Sequence, residues 1–351
     1  MKKRFLILED GTIFQGWGFG AERCAFGELV FNTSVVGYVE TLTDPAYCGQ
    51  IVMQTFPTVG NYGIMEEDFQ GKPALQGYVV KEYCDSPSNF RCQYDLDTFL
   101  KDHDIPGLYG VDTRELTNRI REYGVVNAVI TDFMVDPSEI SSYEIRNAVE
   151  TVTCKEAYSV AADDVEKYHV VVLDFGVKKA ILQALASRGC RVTVVPGGTS
   201  AKAILALNPD GVLLSSGPGD PTENADYIET VRQLFGKLPV FGVGLGHQIL
   251  ALAAGGKTAK MKFGHRGGNQ PCRYADGTRT YITSQNHGYV VLANSVPGAV
   301  ETFTNVNDGT CEGLNYPDAR AFSVQFDPES CGGITDTVFL YDRFIAMMEG
   351  K

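Results

Sequence analysis

The sequence predicts an α/β protein in two parts, an N-terminal mixed α+β domain and a C-terminal doubly wound parallel sheet. Three observations lead there. The 351 residues exceed what one hydrophobic core commonly serves. The second half alternates apolar, β-branched runs with helical stretches, the pattern of a sheet covered on both faces. Between the halves, around residues 151–167 (TVTCKEAYSVAADDVEK), the chain turns polar and non-periodic. The expected division is therefore 1–150, a linker at 151–168, and 169–351.

In the first half, residues 5–8 form a short apolar strand, with turns at Asp10-Gly11 and over residues 16–20. Residues 29–31, 51–55 and 78–80 are further strand candidates, set apart by Gly, Pro and Asn. Residues 112–123 (DTRELTNRIREY) read as a helix. Leu116, Ile120 and Tyr123 fall at helical spacing, with charges on the other face.

From His169 the elements alternate. HVVVLDFG is a buried strand, 178–187 a helix and 191–195 a strand; 201–207 is a helix and 211–214 a strand; 224–235 is a helix and 239–243 a strand. Ligand sites in such sheets lie at the carboxyl ends of the strands. Two glycine-rich segments fall there, SSGPGDP (215–221) and FGVGLGHQ (241–248).

Composition narrows the function classes. A formal net charge of −13 disfavours nonspecific binding to nucleic acid or to an anionic membrane. The opening MKKRFLILEDGTIF has four apolar residues before Glu9, short of the roughly 7–15 a signal peptide needs. A cytoplasmic protein is expected. The nine cysteines are scattered, with no CxxC pair, and read as free thiols of a reducing compartment. Histidines are few and none has ligand spacing to a Cys or carboxylate, so no metal site is expected.

The segment that should carry chemistry is 239–256, PVFGVGLGHQILALAAGG. An apolar strand runs into Gly-x-Gly-x-Gly and then directly into an Ala/Leu-rich helix. That is the layout of a nucleophile elbow, in which a sharp strand-to-helix turn projects its central residue into a pocket. Backbone N–H groups at the helix start then stabilise an oxyanion. Here the central residue is Gly244, which has no side chain. A dinucleotide loop is the competing reading, but the third glycine of GxGxxG is missing at its spacing, and the segment lies late in the domain.

FGVGLGHQ resembles the elbow of class I glutamine amidotransferases, with Gly244 where those proteins have Cys. MKFGHRGGNQP (261–271), QNHGY (285–289), SSGPGDP and VVLDFGVKKAIL (171–182) resemble the small chain of carbamoyl-phosphate synthase. So do EDGTIFQGWGFG, GELVFNTSVVGYVETLTDPAYCGQIV, FPTVGNYG and GLYGVDTRELTNRIRE in the first half. The likeness covers nearly the whole chain. FNTSVVGY and MKFGHRGGN set this family apart from other glutamine amidotransferases.

The resemblance implies a C-terminal class I amidotransferase domain that frees ammonia from glutamine for a separate large subunit. ATP and metal ions are expected on that large subunit, and no cofactor in this chain. In the family a Cys attacks, a His serves as base and acid, and a Glu orients the His. Carried over, the nucleophile position is Gly244 and the base position Asp327, with Glu329 retained. Two adjacent carboxylates would repel or share a proton. Implied glutamine contacts are Gly217, Gly219, Leu245, Gln248, Asn286, Gly288 and Tyr289, together with Ala46, where the family usually has Ser. Phe326 replaces a family Gly and is expected to fill the vacated space.

Cys48 and Cys331 are the thiols nearest in sequence to the implied pocket segments, but neither sits on the elbow. Rescue by either is not expected, since about 1 Å of misplacement can cost on the order of 100-fold. His247, His265 and His287 read as structural or pocket-lining groups. Three functions compete: a partner of a synthase large subunit that uses free ammonia, a non-catalytic regulator or glutamine sensor, and a working glutaminase. Feeding of pyrimidine or of arginine synthesis is left open.

Overall fold

The computed structural model describes residues 2–329 and 333–350. Two compact units result, residues 1–148 and 149–351.

Unit 1 contains strands β1 (Lys3–Leu8), β2 (Ile13–Gly20) and β3 (Ala25–Asn32), then helix α1 (Tyr38–Leu42). It continues with β4 (Gln50–Gln54), β5 (Thr58–Val59), β6 (Gly77–Val80) and β7 (Glu82–Tyr83). Helix α2 (Leu96–Asp102), β8 (Pro106–Tyr109), α3 (Thr113–Tyr123), β9 (Val126–Thr131) and α4 (Pro137–Ser141) complete it. Seven strands close into a barrel in the order β1-β2-β8-β6-β4-β3-β9, while β5 and β7 pair separately. Closure removes the sheet edges that would otherwise be open to pairing.

Two expectations for this unit need correction. Residues 16–20 are not a turn but the second half of β2. A Cβ at Gly16 would lie 2.3 Å from the Tyr109 carbonyl oxygen, so the glycine there serves close packing against β8 rather than a bend. Helix α3 forms as expected, capped by Asp112, whose side chain accepts from the Arg114 and Glu115 amides. Leu116 and Ile120 are buried, but Tyr123 is 67% exposed, because the helix ends there and Gly124 redirects the chain.

Helix α5 (Ala148–Val152) spans the division at 148/149, and unit 2 continues with β10 (Tyr158–Val160), β11 (Tyr168–Asp174), α6 (Lys179–Ala186) and β12 (Cys190–Pro196). Next come α7 (Ala201–Ala206), β13 (Gly211–Leu214), α8 (Ala225–Leu234), β14 (Val240–Val243) and α9 (Leu245–Ala253). The remainder is β15 (Thr258–Tyr274), β16 (Thr280–Val291), β17 (Val300–Asn305), β18 (Cys311–Tyr316), β19 (Ala321–Val324) and α10 (Phe339–Met348).

These strands make one ten-stranded sheet, β10-β12-β11-β13-β14-β19-β18-β17-β15-β16. From β12 through β19 the pairing is parallel, and both faces are buried. Val171, Leu173, Val212 and Leu214 pack to one side with Leu245 and Ile249 of α9. Val170, Val172, Leu213 and Phe241 pack to the other with α6 and α10. The alternation within unbroken apolar strands is what a two-faced sheet demands. Beyond β19 the sheet turns antiparallel, an extension that the alternating pattern did not foretell. Nor is 151–168 a plain linker: β10 lies within it and pairs with β12, a three-residue edge strand too short and polar to show periodicity. Among the described residues no helix is long and apolar enough to cross a membrane.

Candidate functional site

The elbow is present. β14 ends at Val243, Gly244 turns with φ 57° and ψ −112°, and α9 begins at Leu245. The neighbouring glycines are steric necessities. A Cβ at Gly246 would sit 2.2 Å from the Leu214 carbonyl oxygen, and one at Gly242 would sit 2.8 Å from that of Gly246. At Gly244 the obstacle is the backbone angle, plus Ser216, whose Cβ is 3.1 Å from where a side chain would start. The Gly244 amide donates to the Val324 carbonyl at 2.9 Å, and that of Gly246 to the Ser215 carbonyl at 3.0 Å. The turn is thereby pinned between the ends of β13 and β19.

Around Gly244 several carried-over contacts gather. Gly217 and Gly219 lie in the loop after β13, half-buried, with Gly219 at φ 90°. Leu245 is buried at the first helical position. The Gln248 side-chain amide donates to the Tyr289 carbonyl and to Gln325 Oε1, both at 2.9 Å, which ties α9 to β16. Asn286, Gly288 and Tyr289 lie half-buried on β16. Ala46 belongs to unit 1, in the 3-10 turn Pro45–Tyr47, where its amide donates to the Asp44 carboxylate.

The base position holds a group that sequence reasoning missed. Asp327 does not face Glu329 unaided: Lys178 Nζ stands 2.7 Å from Asp327 Oδ1 and 2.6 Å from Glu329 Oε1. The Lys178 side chain is 1% exposed, so the cation and both carboxylates are withdrawn from water together. Tyr341 adds its hydroxyl to Glu329 Oε2 at 3.4 Å. The expected repulsion between two carboxylates is thus met by a counter-ion. By sequence Lys178 reads only as the first residue of the 178–187 helix; the signal available was its place in the loop that follows the β11 carboxyl end, where site residues gather.

Phe326 does not fill the vacated space. It is fully buried and its ring packs edge-on against Phe303, 5.1 Å between centroids, within the apolar layer on the α6 and α10 side. Its aromatic surface draws it into that core.

Electrostatics favour neither a thiolate at Cys48 nor a charged imidazole at His247 or His287. Burial pushes the Cys48 thiol up to about 11, away from the thiolate that a nucleophile needs. Cys331 lies outside the described residues. Burial pushes His247 down to about 3, while its Nδ1 meets Ser323 Oγ at 2.8 Å. Burial likewise holds His287 well below the usual imidazole range. His265 is held above that range: burial opposes its charge, but Glu312 and Asp308 outweigh the burial. Two buried groups beside Gly244 are left open. Neither the Ser216 hydroxyl nor the Gln325 side-chain nitrogen has a hydrogen-bond partner among the described residues.

Comparisons with known proteins agree along the whole chain. Residues 6–130 match the model of the carbamoyl-phosphate synthase small chain, CPSase domain. Residues 171–347 match the model of glutamine amidotransferase class-I. Among curated proteins, the carbamoyl phosphate synthase small chain of Syntrophotalea carbinolica is 47% identical, covering 99% of this chain and 98% of its own. That of Oceanobacillus iheyensis is 46% identical over 100% of this chain and 97% of its own. The carbamoyl phosphate synthase pyrimidine-specific small chain of Halalkalibacterium halodurans is 48% identical over 99% and 98%.

Proposed function

This chain belongs to the carbamoyl-phosphate synthase small-chain family, and from that premise we propose that it partners a large synthase subunit without hydrolysing glutamine itself. The observation that carries the reading is the elbow turned by Gly244. The backbone for an oxyanion site is retained, yet the residue at its centre has no atom with which to attack a carboxamide. The second support is Asp327, whose carboxylate is taken up by Lys178. Asp327 and Glu329 share that one ammonium, so the position where the resemblance expects an imidazole carries a carboxylate tied to a lysine, with no nucleophile beside it to deprotonate.

The role that remains is that of a folded partner to an ammonia-dependent synthase in the cytoplasm. The name of the Halalkalibacterium halodurans relative favours pyrimidine supply over arginine supply. A retained ligand is the second reading. The open Ser216 hydroxyl and Gln325 nitrogen beside Gly244 favour it, and glutamine bound without turnover is the natural occupant. The test is carbamoyl phosphate formation by the chain assembled with its large subunit, with glutamine or ammonium as nitrogen source. Synthesis from ammonium alone supports the reading; equal synthesis from glutamine overturns it.

A further inference from the structure

We propose that His265, His287 and Glu312 form a binding site for a divalent transition-metal ion of the zinc class. The three are far apart in sequence and are brought together by β15, β16 and β18. His265 and His287 are cross-strand partners, with rings edge to face and centroids 5.1 Å apart. His265 Nδ1 lies 3.2 Å from Glu312 Oε1. One ligand atom from each residue falls within 4.8 Å of the other two. Exposures are 6%, 7% and 0%.

Each imidazole is fixed the way metal-binding imidazoles are, by a partner on its far nitrogen. His265 Nε2 meets Asp308 Oδ2 at 2.9 Å, and His287 Nδ1 donates to the Tyr289 carbonyl at 2.8 Å. That bond leaves a lone pair on Nε2 of neutral His287. It faces Gln285 Oε1 at 2.9 Å. The amide's orientation is set from its other end. Its nitrogen donates to Thr283 Oγ1 at 3.0 Å and to Cys272 Sγ at 3.3 Å. The Thr283 hydroxyl itself donates to the Gln270 carbonyl, so toward Gln285 it accepts.

Two acceptors thus face one another at hydrogen-bond distance, an arrangement that a nearby cation relieves. Independently, Glu312 Oε2 is buried with no hydrogen bond among the described residues, although Asn305 Nδ2 donates to its twin Oε1 at 3.1 Å. A bare buried carboxylate oxygen is costly. Both observations ask for positive charge at the same place.

The donors select the ion. Two imidazoles and a carboxylate, with Gln285 Oε1 as fourth neighbour, suit tetrahedral zinc rather than magnesium or calcium, which favour all-oxygen shells. Binding displaces the proton that His265 shares with Glu312. The ion would fasten the β15–β16 ribbon to β18, next to the segment bearing Asn286, Gly288 and Tyr289.

The full chain, stripped with a chelator and dialysed, is titrated with zinc in competition with a chromophoric chelator. In parallel, cobalt(II) is added and its visible spectrum recorded. One equivalent of zinc per chain is expected, with affinity lowered at least about 10-fold in Glu312→Gln, and a tetrahedral cobalt spectrum without thiolate charge transfer. Should Glu312→Gln fail to fold, the cobalt spectrum of the unaltered chain decides alone. No zinc uptake, unchanged affinity in a folded Glu312→Gln, or thiolate-type or octahedral cobalt bands would overturn the site.

Discussion

Lys178 Nζ stands 2.7 Å from Asp327 Oδ1, at the position where the family resemblance puts a catalytic histidine. The same ammonium reaches Glu329 at 2.6 Å. Asp327 and Glu329 thus hold one buried ammonium between them. Removing the cation leaves two buried carboxylates facing each other. Lys178→Met is expected to lose about 3–5 kcal/mol of stability, the cost of breaking a buried pair from one side. Denaturant unfolding at neutral pH checks this, and an unchanged midpoint would show that the triad carries no such weight.

Gly244 occupies φ 57°, ψ −112°, a region that strains any residue with a Cβ. Gly244→Cys places its Cβ 3.1 Å from the Ser216 Cβ besides. The expected result is a loss of about 1–3 kcal/mol and a lower melting temperature, with no glutaminase gained. A higher melting temperature would contradict this account of the turn.

Much of this was legible in the sequence, because it rests on local patterns. The apolar run 239–243 and the glycines at 242, 244 and 246 announce an elbow by themselves, and the β-branched runs from His169 announce the parallel sheet. What escaped depends on partners distant in sequence. Lys178 meets Asp327 only because β11 and β19 end on the same side of one sheet. Phe326 reads as a site residue because its neighbours in sequence do, whereas Phe303, its neighbour in space, belongs to another strand. The glycines of β2 read as a bend, since a close approach by β8 leaves no trace in the β2 segment itself.

His247 is fully buried with its imidazole pushed down to about 3 by burial, against about 6.5 in the unfolded chain. The unfolded state therefore binds the extra proton between these values, and stability contributed by the neutral ring falls as pH drops below about 6.5. His287 adds to this trend and His265 opposes it. His247→Gln is expected to flatten the fall in stability between pH 6 and 4 by up to one proton, about 1.4 kcal/mol per pH unit. Denaturation midpoints of the two proteins across that range check it; parallel curves would contradict it.

Restoring chemistry should require both reacting groups. Gly244→Cys with Asp327→His, in complex with the large subunit, is expected to release glutamate from glutamine, while either change alone does not. Glutamate release by Asp327→His alone would mean that a nucleophile other than residue 244 is at work.

The most direct measurement is intact-protein mass spectrometry of the unaltered chain, assembled with its large subunit and quenched during exposure to glutamine or to a glutamine-like chloromethyl ketone. The expected result is an unshifted mass and no glutamate in solution. A covalent adduct on any residue, accompanied by glutamate release, would contradict the claim that losing the side chain at 244 ended hydrolysis.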